Sequence, residues 1–137
     1  MFHIVEESLD IKAVVEHVEN PAAGAVVTFV GTVRDHARGK RVLSLEYEAY
    51  PEMAERMLRQ ISEEIRARWE VCKIAVVHRV GRLQVGEVSV VIAISSAHRE
   101  EAFEACRYAI DRIKAIVPIW KKEIYKDGEC WIGEGGG

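Results

Sequence analysis

Three groups of residues have types and spacings that could do chemistry. The first is Ser95-Ser96-Ala97-His98-Arg99, which follows an apolar run and opens a helical pattern. With Ser96 as the cap, His98 and Arg99 fall in the first turn. A helix start offers free N–H groups and a partial positive charge. Cations there do nothing for the helix itself, but they suit a bound anion such as a phosphate. The bland alternative is that Arg99 pairs with Glu100, Glu101 or another surface carboxylate.

The second group is Lys114 with Lys121. Lys114 sits at the edge of an apolar stripe, and Pro118 breaks the chain between the two lysines. Strand alternation puts Lys121 and Glu123 on the face opposite Trp120, Lys122 and Ile124. Two partly buried lysines lower each other's pKa, and burial adds to the effect. Such a lysine can act as an acid, a base, a nucleophile or a charge stabiliser. Two ordinary surface lysines are the competing reading.

The third group is the basic stretch Gly31-Thr32-Val33-Arg34-Asp35-His36-Ala37-Arg38-Gly39-Lys40-Arg41. It reads as a loop between strands, either a lid over an anionic ligand or a solvated hairpin loop. Arg34, nearest the strand end, is the best placed to be held rigidly.

These groups need elements to position them. Ile11, Val14, Val15 and Val18 predict an amphipathic helix, capped by Ser8 or Asp10 and ended by Asn20-Pro21. Residues 24–33 are β-branched and predict a buried strand. Residues 42–50 alternate, with Leu43, Leu45, Tyr47 and Ala49 on one face and Ser44, Glu46 and Glu48 on the other. Pro51 opens a second helix with Ala54, Leu58, Ile61 and Ile65 inward. Residues 71–80 and 87–95 predict strands joined through residues 81–86. A third helix carries Phe103, Cys106, Ile110 and Ile113 on its stripe. Residues 119–126 and 130–132 predict two strands around a turn at Asp127-Gly128. Paired strands between helices predict an α+β fold with three helices and a mainly antiparallel sheet.

The 137 residues predict one domain spanning 1–137. Hydrophobic residues make up 49% and charged residues 30%, which excludes a disordered chain. No apolar run reaches the roughly 20 residues that span a bilayer, and no secretory signal is visible, so a cytoplasmic location is expected. Cys72, Cys106 and Cys130 are too scattered for a disulfide framework or a zinc site. The net charge of −3 gives no general reason to expect nucleic acid. His78, inside Val76-Val77-His78-Arg79-Val80, reads as a structural strand residue. Trp69 and Trp131 read as core or edge packing. The terminal Gly135-Gly136-Gly137 reads as a disordered end.

Six blocks in order carry a family resemblance: residues 24–34 (GAVVTFVGTVR), 45–50 (LEYEAY), 78–81 (HRVG), 95–99 with 102–105 (SSAHR, AFEA), Ile113-Lys114, and 118–123 (PIWKKE) with Trp131. Over nearly its whole length the chain resembles the large, catalytic subunits of molybdopterin synthase. The resemblance implies an α/β-hammerhead fold. It implies a heterotetramer, with two large subunits at the centre and a small ubiquitin-like sulfur-carrier subunit at each end. The carrier ends in Gly-Gly as a thiocarboxylate, and its tail enters the large subunit. The substrate implied is cyclic pyranopterin monophosphate, which two sulfur transfers convert to the dithiolene of molybdopterin. No metal, nucleotide or other cofactor is implied for this step.

By resemblance, Lys121 and Lys114 match the two catalytic lysines. Arg34, His98 and Arg99 match residues that hold the pterin's phosphate and neighbouring groups. Thr32, Val33, Lys122 and Glu123 match positions lining the same pocket, and Phe29 matches a residue beside the carrier's tail. Thr32 stands where some members have lysine, and some members have a longer basic C-terminal tail. Two other readings compete. One is a sulfurtransferase that relays persulfide on Cys72, Cys106 or Cys130. The other is a non-catalytic binding module for a phosphorylated metabolite or RNA.

Overall fold

The computed structural model describes residues 1–126 and 128–132. Asp127 of the expected turn and the terminal triglycine lie outside the described residues. The elements run β1 (Phe2–Val5), α1 (Ile11–His17), β2 (Ala25–Thr32), β3 (His36–Ala37), β4 (Lys40–Ala49), α2 (Pro51–Arg68), β5 (Lys73–Arg79), β6 (Gly81–Gln84), β7 (Val88–Ser96), α3 (Arg99–Ile116), β8 (Ile119–Tyr125) and β9 (Gly128–Ile132). This is the expected α+β architecture with three helices. Every strand pairing is antiparallel except that of β1 with β5. Among the described residues no helix is long and apolar enough to cross a membrane.

The first sheet has the order β1-β5-β7-β2. Its two middle strands are apolar on both faces because both faces are covered. Ile74, Val76, Val90, Ile92 and Ile94 pack against α2 and α3. Ala75, Val77, Val91 and Ala93 pack against Val14 and Val18 of α1 and its C-cap. Alternation along each strand divides the residues between these two layers.

β2 corrects an expectation. It is an edge strand, not a buried one, and among the described residues its only strand neighbour is β7. α1 lies over β5 and β7 and leaves β2 uncovered on that face. Val26 and Val30 are therefore 41% and 37% exposed, while Phe29, on the face toward α3, is 37% exposed. An apolar edge of this kind invites pairing with another chain.

The second sheet has the order β3-β4-β8-β9, with β6 along the other side of β4. Arg38 and Gly39 join β3 to β4 with φ of 52° and 74°. Two successive positive φ values make a type I′ hairpin turn, and glycine relieves the strain at one of them. The register of β4 on β8 slips between Val42 and Ser44. That bulge turns Leu43 outward, 45% exposed, and buries Val42 and Ser44, against the expected alternation. From Leu45 onward the expected faces hold.

Residues 81–84, expected as a connection, form β6 instead. Gly81 has φ of 95°, which lets the chain leave β5 and add to the second sheet. Two helix details also differ from expectation. Ser96 ends β7 and donates to the carbonyl of His98, and His98 itself is the N-cap of α3. The buried stripe of α3 is Ala102, Ala105, Cys106, Ala109 and Ile113, whereas Phe103 is 59% exposed. Small residues on that face let the helix lie close to β2 and β7.

Candidate functional site

The two sheets and the C-terminal half of α3 enclose a cavity of about 390 Å³. This is within the usual range for a small-molecule site. Each wall has a local cause. Alternation along β8 buries Ile119, Lys121, Glu123 and Tyr125 and turns the residues between them outward. Pro118 stops α3, so β8 begins directly after the helix and sets Lys121 near Lys114. Pairing of β4 with β8 places Tyr47 opposite Lys121 and Leu45 opposite Glu123. The end of β2 and the following loop contribute Phe29, Thr32 and Arg34.

Lys121 is only 8% exposed. Burial pushes its ammonium below the ordinary lysine range, the cationic fields of Lys114, Arg34 and Arg38 push the same way, and the carboxylate of Glu123 opposes them. Among the described residues no ion pair holds its Nζ. A buried lysine without a partner costs stability, so it marks a place where chemistry or ligand charge is at work. Glu123 is 3% exposed, and its Oε1 accepts from Arg38 Nη1 at 2.7 Å and from the Tyr125 hydroxyl. The link raises the pKa of Tyr125, because ionising the phenol would break its bond to the carboxylate.

Of the residues expected at a site, the cavity brings together Lys114, Lys121, Arg34, Thr32, Glu123 and Phe29. Four lie elsewhere in this chain. Val33 is buried with Val42, Leu45, Leu83 and Tyr125 in a separate core cluster. Lys122 points to the other face of β8, with its Nζ 4.6 Å from the Trp131 ring centroid, 3.7 Å from Glu46 and 3.6 Å from Glu129. Trp131 is thus a half-exposed platform for a lysine rather than core. His98 and Arg99 open α3 at the end remote from Lys114. At 1.5 Å rise per residue that is about 22 Å away.

The sequence reading missed Tyr47, His78 and Ser89 as cavity residues. His78 stands in an apolar strand, and nothing in the local pattern showed that the face it shares with Ile74 and Val76 ends at a cavity. The three cysteines are not among the cavity residues. Cys106 is buried, and burial pushes its thiol up to about 11.

A cavity with a buried lysine, a second lysine and an arginine, set on an α+β scaffold, belongs to an enzyme acting on an anionic small molecule. The family model described as MoaE protein matches residues 4–116. The chain is 54% identical over 133 residues to the molybdopterin synthase catalytic subunit of Halalkalibacterium halodurans, covering 97% of this chain and 85% of that one. It is 50% identical over 133 residues to the human catalytic subunit, covering 97% and 71%. Its structure is similar to the crystal structure of molybdopterin synthase from Staphylococcus aureus, with a TM-score of 0.93, 48% identity and 96% of each chain covered. The chain belongs to the MoaE protein family, the catalytic subunits of molybdopterin synthase.

Proposed function

We propose that this chain, a sulfurtransferase by family, converts cyclic pyranopterin monophosphate to molybdopterin in the cytoplasm. The two sulfurs arrive in successive transfers, each from the C-terminal thiocarboxylate of one small ubiquitin-like carrier. The observation that carries the reading is the buried Lys121 lining a cavity shared with Lys114 and Arg34, with no ion pair to it among the described residues. A thiocarboxylate that attacks a pterin side-chain carbon builds negative charge on oxygen and must expel oxygen leaving groups. Cations placed at the developing oxyanion and an acid with a lowered pKa meet both demands. Lys121 is the proton-transfer group. Lys114 stabilises the carrier's terminal carboxyl and the thioester-linked intermediate. Arg34 and Thr32 bind the pterin's polar groups, and Phe29 lies beside the carrier's tail. No cysteine is needed, since the sulfur arrives on the carrier.

His98 and Arg99 fit this scheme through a dimer. β2 runs from Ala25, paired with Ser96 near the start of α3, to Thr32 at the cavity. Its outer edge is open and apolar. Two copies pairing along that edge about a two-fold axis set the start of one β2 beside the end of the other. The His98 and Arg99 pair of one copy then lies near the cavity of the other, where it binds the phosphate. Val33 supports the loop from the core, and Lys122 acts from the outer face of β8.

Reconstitution tests the reading. The purified chain is mixed with thiocarboxylated carrier and cyclic pyranopterin monophosphate, and molybdopterin is followed by fluorescence after oxidation. Wild type should form product, and Lys121→Ala almost none. Product from both would remove Lys121 from its role. No product from either, beside an active control synthase, would favour a binding module. Replacing all three cysteines by serine should leave turnover intact, and its loss in a folded protein would favour a persulfide relay.

A further inference from the structure

His78 is 7% exposed, lines the cavity and is not used by the mechanism above. Its Nδ1 lies 2.8 Å from the carbonyl oxygen of Arg79. A carbonyl only accepts, so Nδ1 carries the proton and Nε2 keeps its lone pair. The ring is further fixed by the edge of Tyr47, with centroids 5.2 Å apart at 74°. Tyr47 in turn stands opposite Lys121. Lys121, Tyr47 and His78 thus form successive parts of one wall.

Nε2 opens on the cavity. Among the described residues the sealed side-chain polar atoms without a partner are Ser44 Oγ and Glu101 Oε2, and Nε2 is not one of them. It has no described hydrogen-bond partner either. Other groups on this wall are engaged in part: Glu123 Oε1 receives Arg38 and Tyr125, and Ser89 Oγ donates to the carbonyl of Gly31 at 3.2 Å.

The hydroxyls of Thr32, Tyr47 and Ser89 can both donate and accept, whereas the charged groups Arg34, Lys114 and Lys121 only donate. The charged groups suit phosphate and developing oxyanions. A pterin also carries ring N–H and amino donors, and the charged donors alone would leave these unpaired at a cost. We infer that His78 is a substrate-positioning and specificity residue, whose fixed Nε2 accepts a hydrogen bond from an N–H group of the pterin and orients the ring system against Lys121. The inference rests on the proposed function. Burial holds the ring neutral, with a pKa of about 4, so the acceptor persists throughout the neutral range.

Two variants separate this role from a structural one. In His78→Asn the side-chain amide nitrogen can replace Nδ1 and donate to Arg79, but nothing replaces Nε2. In His78→Gln the amide oxygen reaches the Nε2 position. With the full chain and thiocarboxylated carrier, His78→Asn should raise KM for cyclic pyranopterin monophosphate by roughly fivefold to tenfold. Its KM for the carrier should stay within about twofold, any fall in kcat should be smaller than the rise in pterin KM, and His78→Gln should recover most of the loss. An unchanged pterin KM in His78→Asn, or a rise in carrier KM instead, overturns the inference; the latter outcome would assign Nε2 to the carrier's tail. Nitrogen-15 NMR of histidine-labelled wild type gives a test independent of the variants' folding. The Nε2 resonance should be that of an unprotonated nitrogen and should move when the pterin is added without carrier. A protonated Nε2, or one that the pterin leaves unmoved, also overturns it. If wild type makes no molybdopterin in the same assay, the functional reading itself has failed; if it does, only the role of His78 is at stake.

Discussion

Arg38 Nη1 donates to Glu123 Oε1 at 2.7 Å, tying the tip of the β3–β4 hairpin to a carboxylate on the inward face of β8. Glu123 lies two residues from Lys121 on that same face, so the bond sets the electrostatics around the lysine. The carboxylate raises the pKa of Lys121, while burial, Lys114, Arg34 and Arg38 lower it. Removing the negative charge should therefore lower it further. If the ammonium of Lys121 is the acid, turnover falls as pH rises through its pKa, below the ordinary lysine range. Glu123→Gln should move that alkaline limb to lower pH and reduce turnover at neutral pH. A pH–rate profile checks both, and a limb that stays in place would remove Lys121 as its source.

Arg38→Ala leaves Glu123 in the interior with Tyr125 as its remaining described partner. Breaking an ion pair with one buried member costs more than breaking a surface pair, because a charge is stranded. Since Arg38 is 57% exposed, the loss should be modest, about 1–2 kcal/mol. Arg38→Lys should recover part of it. Thermal unfolding of the two variants measures this, and equal stability for wild type and Arg38→Ala would show that solvent replaces the arginine without cost.

A site completed across a dimer has a stoichiometric signature. Lys121→Ala and Arg99→Ala should each be nearly inactive alone. Mixed and allowed to exchange subunits, they form hybrid dimers in which one cavity has both defects and the other has neither. Equal mixing should restore about one quarter of wild-type activity. No recovery in demonstrated hybrids would place Arg99 in its own chain's function. Val30→Glu on the open edge of β2 should shift the protein toward monomer in sedimentation and should abolish the rescue.

Much of this was legible in the sequence, and what was not has physical causes. The amphipathic stripe of α2 and the inward face of β8 follow from local period alone, so Lys121 and Glu123 were readable as neighbours. β2 misled because an apolar β-branched run looks the same in a sheet centre and at an exposed edge. The bulge at Leu43 and the positive φ at Gly81 depend on pairing between strands distant in sequence. Phe103 fits a helical stripe as well as Ala102 does, and only packing against β2 and β7 decides between them. His78 needed the second sheet before its face could be seen to border a cavity.

Glu64 clamps α2 to α3. Its Oε1 accepts from Tyr108 at 2.6 Å and from Arg112 Nε at 3.0 Å, and its Oε2 accepts from Gln60 at 3.1 Å. The guanidinium of Arg112, then the hydroxyl of Tyr108 and the amide of Gln60, hold its carboxyl at about 2, against 4.5 for a free glutamate. This stabilisation is complete above pH 4.5 and is lost as pH falls toward 2. Glu64→Gln should cost about 1–2 kcal/mol at neutral pH, allowing for solvent screening of a partly exposed group. Turnover at moderate temperature should be unchanged, since Glu64 is remote from the cavity. Denaturant unfolding and the reconstituted assay together check the pair of outcomes.

His78 should give the protein a second, earlier acid sensitivity. Burial is the cause of its depressed pKa of about 4, against 6.5 in a free histidine. The unfolded chain takes up a proton through pH 6.5 that the folded chain refuses until about 4. Stability is therefore full above pH 6.5 and declines as pH falls between these values, by about 3 kcal/mol in total. His78→Asn carries no titrating group, so its stability should be nearly flat across that window while the Glu64 effect below pH 4.5 persists. Measuring unfolding free energy of both proteins at several values from pH 7 to 4 separates the two groups. A wild-type curve parallel to that of His78→Asn would mean that the buried ring accepts its proton at an ordinary pKa. Its Nε2 would then become a donor near pH 6, and turnover should show an acidic limb there that the asparagine variant lacks.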